Sequence, residues 1–246
     1  MIPFKINKKE TILIPSSWND LSVEQVLKIS KIKDEEEIIE ILTGFDIENA
    51  LQLLPYFDFI NEKLDFDNIE ISDFVLLKGN LEEIPEIRSC SWAQKIILKN
   101  TINEAQKGEN FNSYLTKIVS IYLQPILDEK EFDLKRVDFW SNEFKKESFI
   151  NIFSASKNLV RQLTDLIEYE NKYLKSDSTP EQKQAGVSMF DALGEWNTID
   201  IIANGDVTKH EEVLKVDYNT ILNKLYKMKL QARFEQNFRN IINKKK

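Results

Sequence analysis

The amino-acid sequence predicts an α+β fold that is predominantly α, with a small N-terminal antiparallel sheet and short helices followed by a C-terminal helical body. Three observations carry this. Six glycines in 246 residues, against a usual share of roughly 7%, leave few sites for the positive-φ turns that sandwiches and barrels consume. Apolar residues recur at three- and four-residue steps through most of the chain after Ser91. Runs of β-favouring residues bounded by polar turns are confined to the part before it. The 42% hydrophobic content is enough for a sizeable core. The change of pattern divides the chain into a mixed α/β subdomain, 1–88, and a helical domain, 89–246.

Phe4-Lys5-Ile6 and Thr11-Ile12-Leu13-Ile14 flank a polar stretch and predict a hairpin ended by Pro15. Ser22 with Gln25 three residues later is a capping-box pattern, opening a helix through about Ser30 with Val23, Val26, Leu27 and Ile29 inward. Asp34 caps the next helix. Its acids Glu35, Glu36 and Glu37 suit the positive end of the helix dipole, Ile38, Ile41 and Leu42 form its buried stripe, and Gly44 stops it. Asp46 restarts a helix to Leu54, and Pro55 opens another to about Leu64. Over residues 69–88, Phe74-Val75-Leu76-Leu77, Gly79-Asn80 and Leu81 predict one or two strands pairing with the N-terminal hairpin.

Ser91 with Gln94 repeats the capping-box spacing and opens a helix ending at Gly108. Another covers about Asn112 to Gln124 and stops at Pro125, because the residue before a proline is pushed out of the helical region. Leu134 to Phe144 follows. The clearest helix is Phe149 to Leu174, where Ile152, Phe153, Leu159, Leu163 and Leu166 keep the helical period. After the polar Lys175 to Ser178, Thr179-Pro180-Glu181-Gln182 combines an N-cap, a first-turn proline and a capping-box glutamine. The helix it opens carries Met189, Phe190, Leu193, Trp196 and Ile199 to Ala203, with Gly186 and Gly194 able to kink or break it. Thr208 with Glu211 opens a short helix. Asp217 caps the last, with Tyr218, Ile221, Leu222, Leu225 and Met228 inward.

Net charge is −8, and the total hides a strong polarity. Residues 34–86 hold sixteen acids against Lys63 and Lys78, a net of −14, whereas residues 224–246 carry +7. The basic end comprises Lys224, Lys227, Lys229, Arg233, Arg239, Lys244, Lys245 and Lys246, facing Glu235 alone, and these eight are the candidate partner-binding residues. Both regions suit solvated faces, and they also suit head-to-tail contact between copies. No apolar run approaches the length of a membrane span, and the first ten residues reach polar side chains too soon for a signal-peptide core, which predicts residence in a cytoplasm.

The search for chemistry is mostly negative. None of the glycine-rich nucleotide motifs, His-Glu-x-x-His or Gly-x-Ser-x-Gly occurs. One histidine and one cysteine exclude the common zinc sites and an intrachain disulfide. His210, among charges at a helix start, reads as an exposed side chain, and Cys90 as a small, partly buried one. Asp65, Asp67, Glu70 and Asp73 are the densest oxygen cluster; they could hold a hard cation, but the spacing is not that of a calcium loop, and a solvated loop is the plainer reading. The expectation is an absence of catalytic residues, cofactor and metal. Tyr226, Phe234 and Phe238 interleave with Lys227, Lys229, Arg233 and Arg239, a pattern that suits core packing foremost and also partner contact or stacking on single-stranded nucleic acid. Trp18, Trp92, Trp140 and Trp196 read as core anchors.

Ile14-Pro15-Ser16-Ser17-Trp18-Asn19-Asp20-Leu21-Ser22-Val23-Glu24-Gln25, Ile41-Leu42-Thr43-Gly44 and Ile121-Tyr122-Leu123-Gln124-Pro125-Ile126 resemble small proteins from the structural-gene regions of tailed bacteriophages, of the type infecting Bacteroidetes. The resemblance covers scattered pieces, mainly residues 12–44 and 91–126. It implies a non-enzymatic virion structural protein of the tail or the head-to-tail neck or ring. Such a protein would reside in the virion, and in the host cytoplasm during assembly. Its expected partners are other phage structural proteins and copies of itself, as a homo-oligomer or ring. A tail assembly chaperone holding the tape-measure protein is the alternative. Outside those classes stand a metal-dependent enzyme using the acids of residues 65–73 and a nucleic-acid adaptor using residues 224–246, although an acidic chain does not have nucleic acid as its expected partner.

Overall fold

The computed structural model describes residues 1–5, 11–44, 51–61, 64, 66–77, 79–108, 111–175 and 178–243. The chain is α+β and predominantly α. Its strands are β1 (Ile2–Lys5), β2 (Thr11–Ile14), β3 (Phe74–Leu77) and β4 (Asn80–Glu83). Its helices are α1 (Val23–Ile29), α2 (Glu35–Thr43), α3 (Trp92–Lys107), α4 (Leu115–Asp128), α5 (Leu134–Phe144), α6 (Phe149–Tyr173), α7 (Pro180–Gln184), α8 (Glu195–Ile202), α9 (His210–Lys215) and α10 (Tyr218–Asn243). The Lys244, Lys245 and Lys246 of the basic end lie outside the described residues.

Contacts group the chain into two compact units that interleave along the sequence, where the composition suggested one cut after residue 88. The first comprises Met1–Ile84, Thr101–Asp128 and Asp133–Val160; the second comprises Pro85–Asn100, Glu129–Phe132 and Arg161–Lys246. Helices α3 and α6 supply residues to both.

In the first unit β1 and β2 form the expected hairpin, with Ile2 opposite Ile14 and Lys5 opposite Thr11. The expectation that the 69–88 strands join this sheet is corrected, because β3 and β4 pair with each other in a separate two-stranded sheet. Gly79, at φ +83°, makes the two-residue turn that closes them. The other edge of β3 is occupied by a side chain. The Asn151 amide donates to the Leu76 carbonyl at 2.6 Å and accepts the Leu76 N–H at 3.0 Å, taking the place of a third strand. Ser22 and Gln25 make both bonds of the capping box at the start of α1. Backbone bonds from Val23 to Glu147 and from Phe149 to Leu21 tie that start to the entrance of α6. Leu21, Ile118, Val119, Phe144, Phe149 and Ile152 are fully buried in this unit.

Several helix limits differ from expectation. Residues 51–60 form 3-10 turns, Leu51–Tyr56 with Pro55 inside and Asp58–Ile60, and the restart at Asp46 falls outside the described residues. Pro125 does not end its helix but lies within α4, which begins after a 3-10 turn at Phe111–Tyr114. The local cost of an interior proline is offset by anchors beyond it. Asp128 receives bonds from Gln124, Arg136 and Trp140, and Gln124 also accepts the Asp133 N–H at 2.8 Å. In the second unit the helix after Thr179 breaks where the glycines allow it. Gly186 at φ +84° and Gly194 at φ +51° bound a 3-10 segment, Val187–Leu193, between α7 and α8. The cap near Thr208 is Asp206, whose carboxylate accepts the Thr208 N–H, and a 3-10 turn leads into α9. Among the described residues no helix is long and apolar enough to cross a membrane.

Candidate functional site

Helix α10 carries the basic residues singled out by the sequence, and the fold splits them into two groups. Lys224 donates to the Ile202 carbonyl at 3.0 Å. Lys229 donates to the carbonyls of Tyr173 and Lys175 at 2.9 and 2.8 Å, closing the C-terminal end of α6, where a cation also complements the helix dipole. These two ammonium groups are tied into the fold. Lys227, Arg233 and Arg239 are exposed, with Arg239 3.8 Å from Glu235.

The apolar residues of α10 behave differently from expectation. Tyr218, Ile221 and Leu222 are buried as predicted, but Met228 is exposed. Tyr226, Phe234 and Phe238 are also exposed, which corrects the reading of them as core. Every residue from Leu230 to Asn243 is exposed, Phe234 at 67%. At about 100° per residue, the stripe Leu230, Phe234, Phe238 and Ile241 lies about 160° around the helix from the buried face. The stripe is therefore a second apolar face and does not continue the first.

Among the described residues, one buried polar cluster is built around a lysine that the sequence did not single out. Lys95 of α3 is 1% exposed. Its ammonium lies 3.1 Å from Glu170 and 3.4 Å from Glu195, and 4.6 Å from the centre of the Trp92 ring. Trp92 stacks on Tyr218, with ring centres 5.4 Å apart, and the Tyr218 hydroxyl donates to Glu170 at 2.6 Å. Lys99 bonds Glu195 at 2.9 Å. Burial pushes the Tyr218 hydroxyl far above its usual range, and the bond to Glu170 adds to that, so it stays protonated. Burial works against the charge on Glu195, but Lys95 and Lys99 outweigh it and hold the carboxyl below its ordinary value. The arrangement joins α3, α6, α8 and α10 within one unit. A lysine has no local signature of burial, so nothing near Lys95 in the sequence announces the role.

The other chemical candidates serve packing. Cys90 is buried; burial pushes its thiol up to about 12, against the pull of Lys95. At pH 8 a thiol reagent should leave the native protein unmodified and label Cys90 completely once denaturant unfolds it. Labelling of the native protein within minutes would contradict this burial. His210 sets its Nε2 3.2 Å from Asp200 and its ring edge-on to Trp196. Asp65 of the acidic loop is outside the described residues, and among the described residues no group of three His, Cys, Asp or Glu could hold a metal. The carbonyls of Phe66, Asp67 and Ile69 instead accept the Lys157 ammonium at 3.3, 3.0 and 3.2 Å. Ser154 and Asn158 bond the same loop further along, at Glu70 and at Ser72 and Asp73.

A further surface was missed by the sequence reading. β3 buries Val75 and Leu77 but exposes Phe74 and Leu76, and Leu81, opposite Leu76, is 66% exposed. The signal was available in the four consecutive apolar residues Phe74 to Leu77, because a two-stranded hairpin packed on one side can cover only alternate side chains.

No protein-family model matches the chain, and no solved structure matches it. The ATP-dependent DNA helicase II subunit 1 of Kluyveromyces lactis is 24% identical over 121 residues, 48% of this chain and 20% of that protein. The chain thus matches about a fifth of that curated relative, and a likeness of this extent assigns neither a family nor an activity.

Proposed function

We propose that this chain is a non-enzymatic structural protein of a bacteriophage virion, in the tail or the head-to-tail neck or ring, working by packing against other phage structural proteins and copies of itself. The observation that carries the packing role is the end of α10, where an apolar stripe stands wholly exposed between Leu230 and Asn243. A helical segment of this length is marginal in water without a partner, and exposed contiguous apolar surface marks interaction sites. The phage setting comes from the resemblance of residues 12–44 and 91–126. The groups best suited to chemistry are engaged in packing, Cys90 by burial and Lys95 between two carboxylates, which favours a role without turnover. The virion, with the host cytoplasm during assembly, is the proposed location.

Mass spectrometry of phage particles purified from host cells expressing the chain tests this reading. Recovery at many copies per particle is the expected result. Absence from particles, with abundance in the surrounding lysate, would overturn it in favour of the tail assembly chaperone, for which the same stripe would hold the tape-measure protein.

A further inference from the structure

Among the described residues, other exposed apolar side chains accompany the stripe on α10. Leu13 is exposed on β2, and the sequence before it carries Lys5, Lys8 and Lys9. Met189, Phe190 and Leu193 lie between the two glycine breaks with one acid, Asp191, among them. The outer face of the β3–β4 hairpin presents Phe74, Leu76 and Leu81, and it is set in acidic sequence. Glu83 is opposite Phe74 on the same face, Glu82 precedes it on the other face opposite Val75, and Glu86 follows three residues on. At about 100° per residue, Lys227 lies in line with the α10 stripe and Arg233 beside it, with Glu235 on the other flank and Arg239 on the far side of the helix. The hairpin lies in the more acidic stretch, with three acids and no base over residues 80–86 against Asp191 alone over residues 187–193, so it offers the stripe the stronger opposite charge.

We infer that the exposed end of α10 docks on the β3–β4 hairpin face of a second copy of this chain. The inference rests on the packing role proposed above and names the surfaces that carry it. Leu230, Phe234, Phe238 and Ile241 cover Phe74, Leu76 and Leu81, while Lys227 and Arg233, on the stripe side of the helix, approach Glu83. Pairing of α10 with α10 is disfavoured, because it sets two basic helices side by side, and like charges brought together at an interface cost free energy. The contact is heterologous: each copy offers a helix to one neighbour and a hairpin to another, so it propagates from copy to copy.

Sedimentation velocity of the purified full chain provides the test. Wild type is expected to form species larger than a monomer that grow with concentration, and their apparent affinity should fall by about tenfold or more between low and high salt, as screening removes the charge term. A helix variant, Phe234→Glu with Phe238→Glu, and a hairpin variant, Leu76→Lys with Leu81→Lys, are each expected to be monomeric. Their mixture should give a one-to-one dimer and nothing larger, since it retains one intact helix and one intact hairpin on different chains. All four positions are exposed, and circular dichroism checks the fold of each variant; Lys227→Glu with Arg233→Glu is a second helix variant should the first misfold. A hairpin variant that self-associates like wild type overturns the proposal in favour of helix-to-helix pairing. A mixture that stays monomeric overturns it as well. So does a wild type that is monomeric at every concentration, and binding of that monomer to anionic lipid vesicles would reassign the helix to a membrane surface. Failure here leaves the virion reading standing, because that reading is decided by the composition of particles and not by self-association in solution.

Discussion

Lys95→Met should destabilise the protein by about 3–5 kcal/mol at neutral pH, the usual cost of removing one partner of a buried ion pair. The substitution takes away the ammonium between Glu170 and Glu195 and leaves two partly buried carboxylates without it. For a chain of this size that corresponds to a fall in Tm of roughly 6–20 °C. The pH dependence gives the mechanism away. In the wild type the Glu195 carboxyl is held below its usual value of 4.5. Its contribution is therefore present above that pH and lost as pH falls through the lower, folded value. In the variant, burial of Glu195 is opposed by Lys99 without Lys95, so its carboxyl resists ionisation more than in the wild type, and the penalty applies at neutral pH and relaxes on acidification. Urea melts at pH 7 and pH 4 should show the gap between the two proteins narrowing at the lower pH. A gap that is constant, or below about 1 kcal/mol at pH 7, would mean that the cluster is not held together by charge. The double variant Lys95→Met with Glu195→Gln should recover part of the loss.

Asp128→Ala is the second large effect, at about 2 kcal/mol. The value lies toward the low end for a charged acceptor because Arg136 is 42% exposed and water screens its charge. Asp128 receives Arg136 through two nitrogens, at 3.0 and 2.8 Å, and the Trp140 indole and Gln124 amide at 3.0 Å each. The Arg136 bond is the main reason its carboxyl lies well below the ordinary range; burial opposes this, and Gln124 and Trp140 add to the lowering. The folded value is depressed, so the stabilisation is complete above the usual 3.8 and disappears as pH falls below it. Wild type and variant should therefore converge in strong acid. Hydrogen exchange should also locate the loss at the end of α4 and the first turn of α5, and uniform loss of protection elsewhere with those turns spared would refute the assignment.

Much of the helical framework was legible because its signals are local. Ser22 with Gln25 and Thr179 with Gln182 are complete capping boxes in the structure, and Ser91 with Gln94 makes the same reciprocal bonds. Each needs only four neighbouring residues to be recognised. Pro125 was misread because the forces that carry α4 past it come from α5, across a turn, and a proline rule sees only its own neighbours. The strands of residues 74–83 could be read from their composition, but their pairing depends on Asn151, far along the chain, which takes the edge a third strand would need. The stripe on α10 was misassigned for a related reason. Apolar periodicity identifies a face that will be covered, and cannot say whether the cover comes from the same chain. Lys95 is the extreme case, one basic residue among thirty-three with nothing beside it to mark it.

The three carbonyls that converge on Lys157 have a consequence for the loop at residues 66–69. Backbone oxygens gathered in this way are commonly held by a dissolved ion, whose occupancy follows its supply. Here the cation is tethered by its own side chain to α6, so no chelator can strip it away and no change in the ionic make-up of the medium can dilute it.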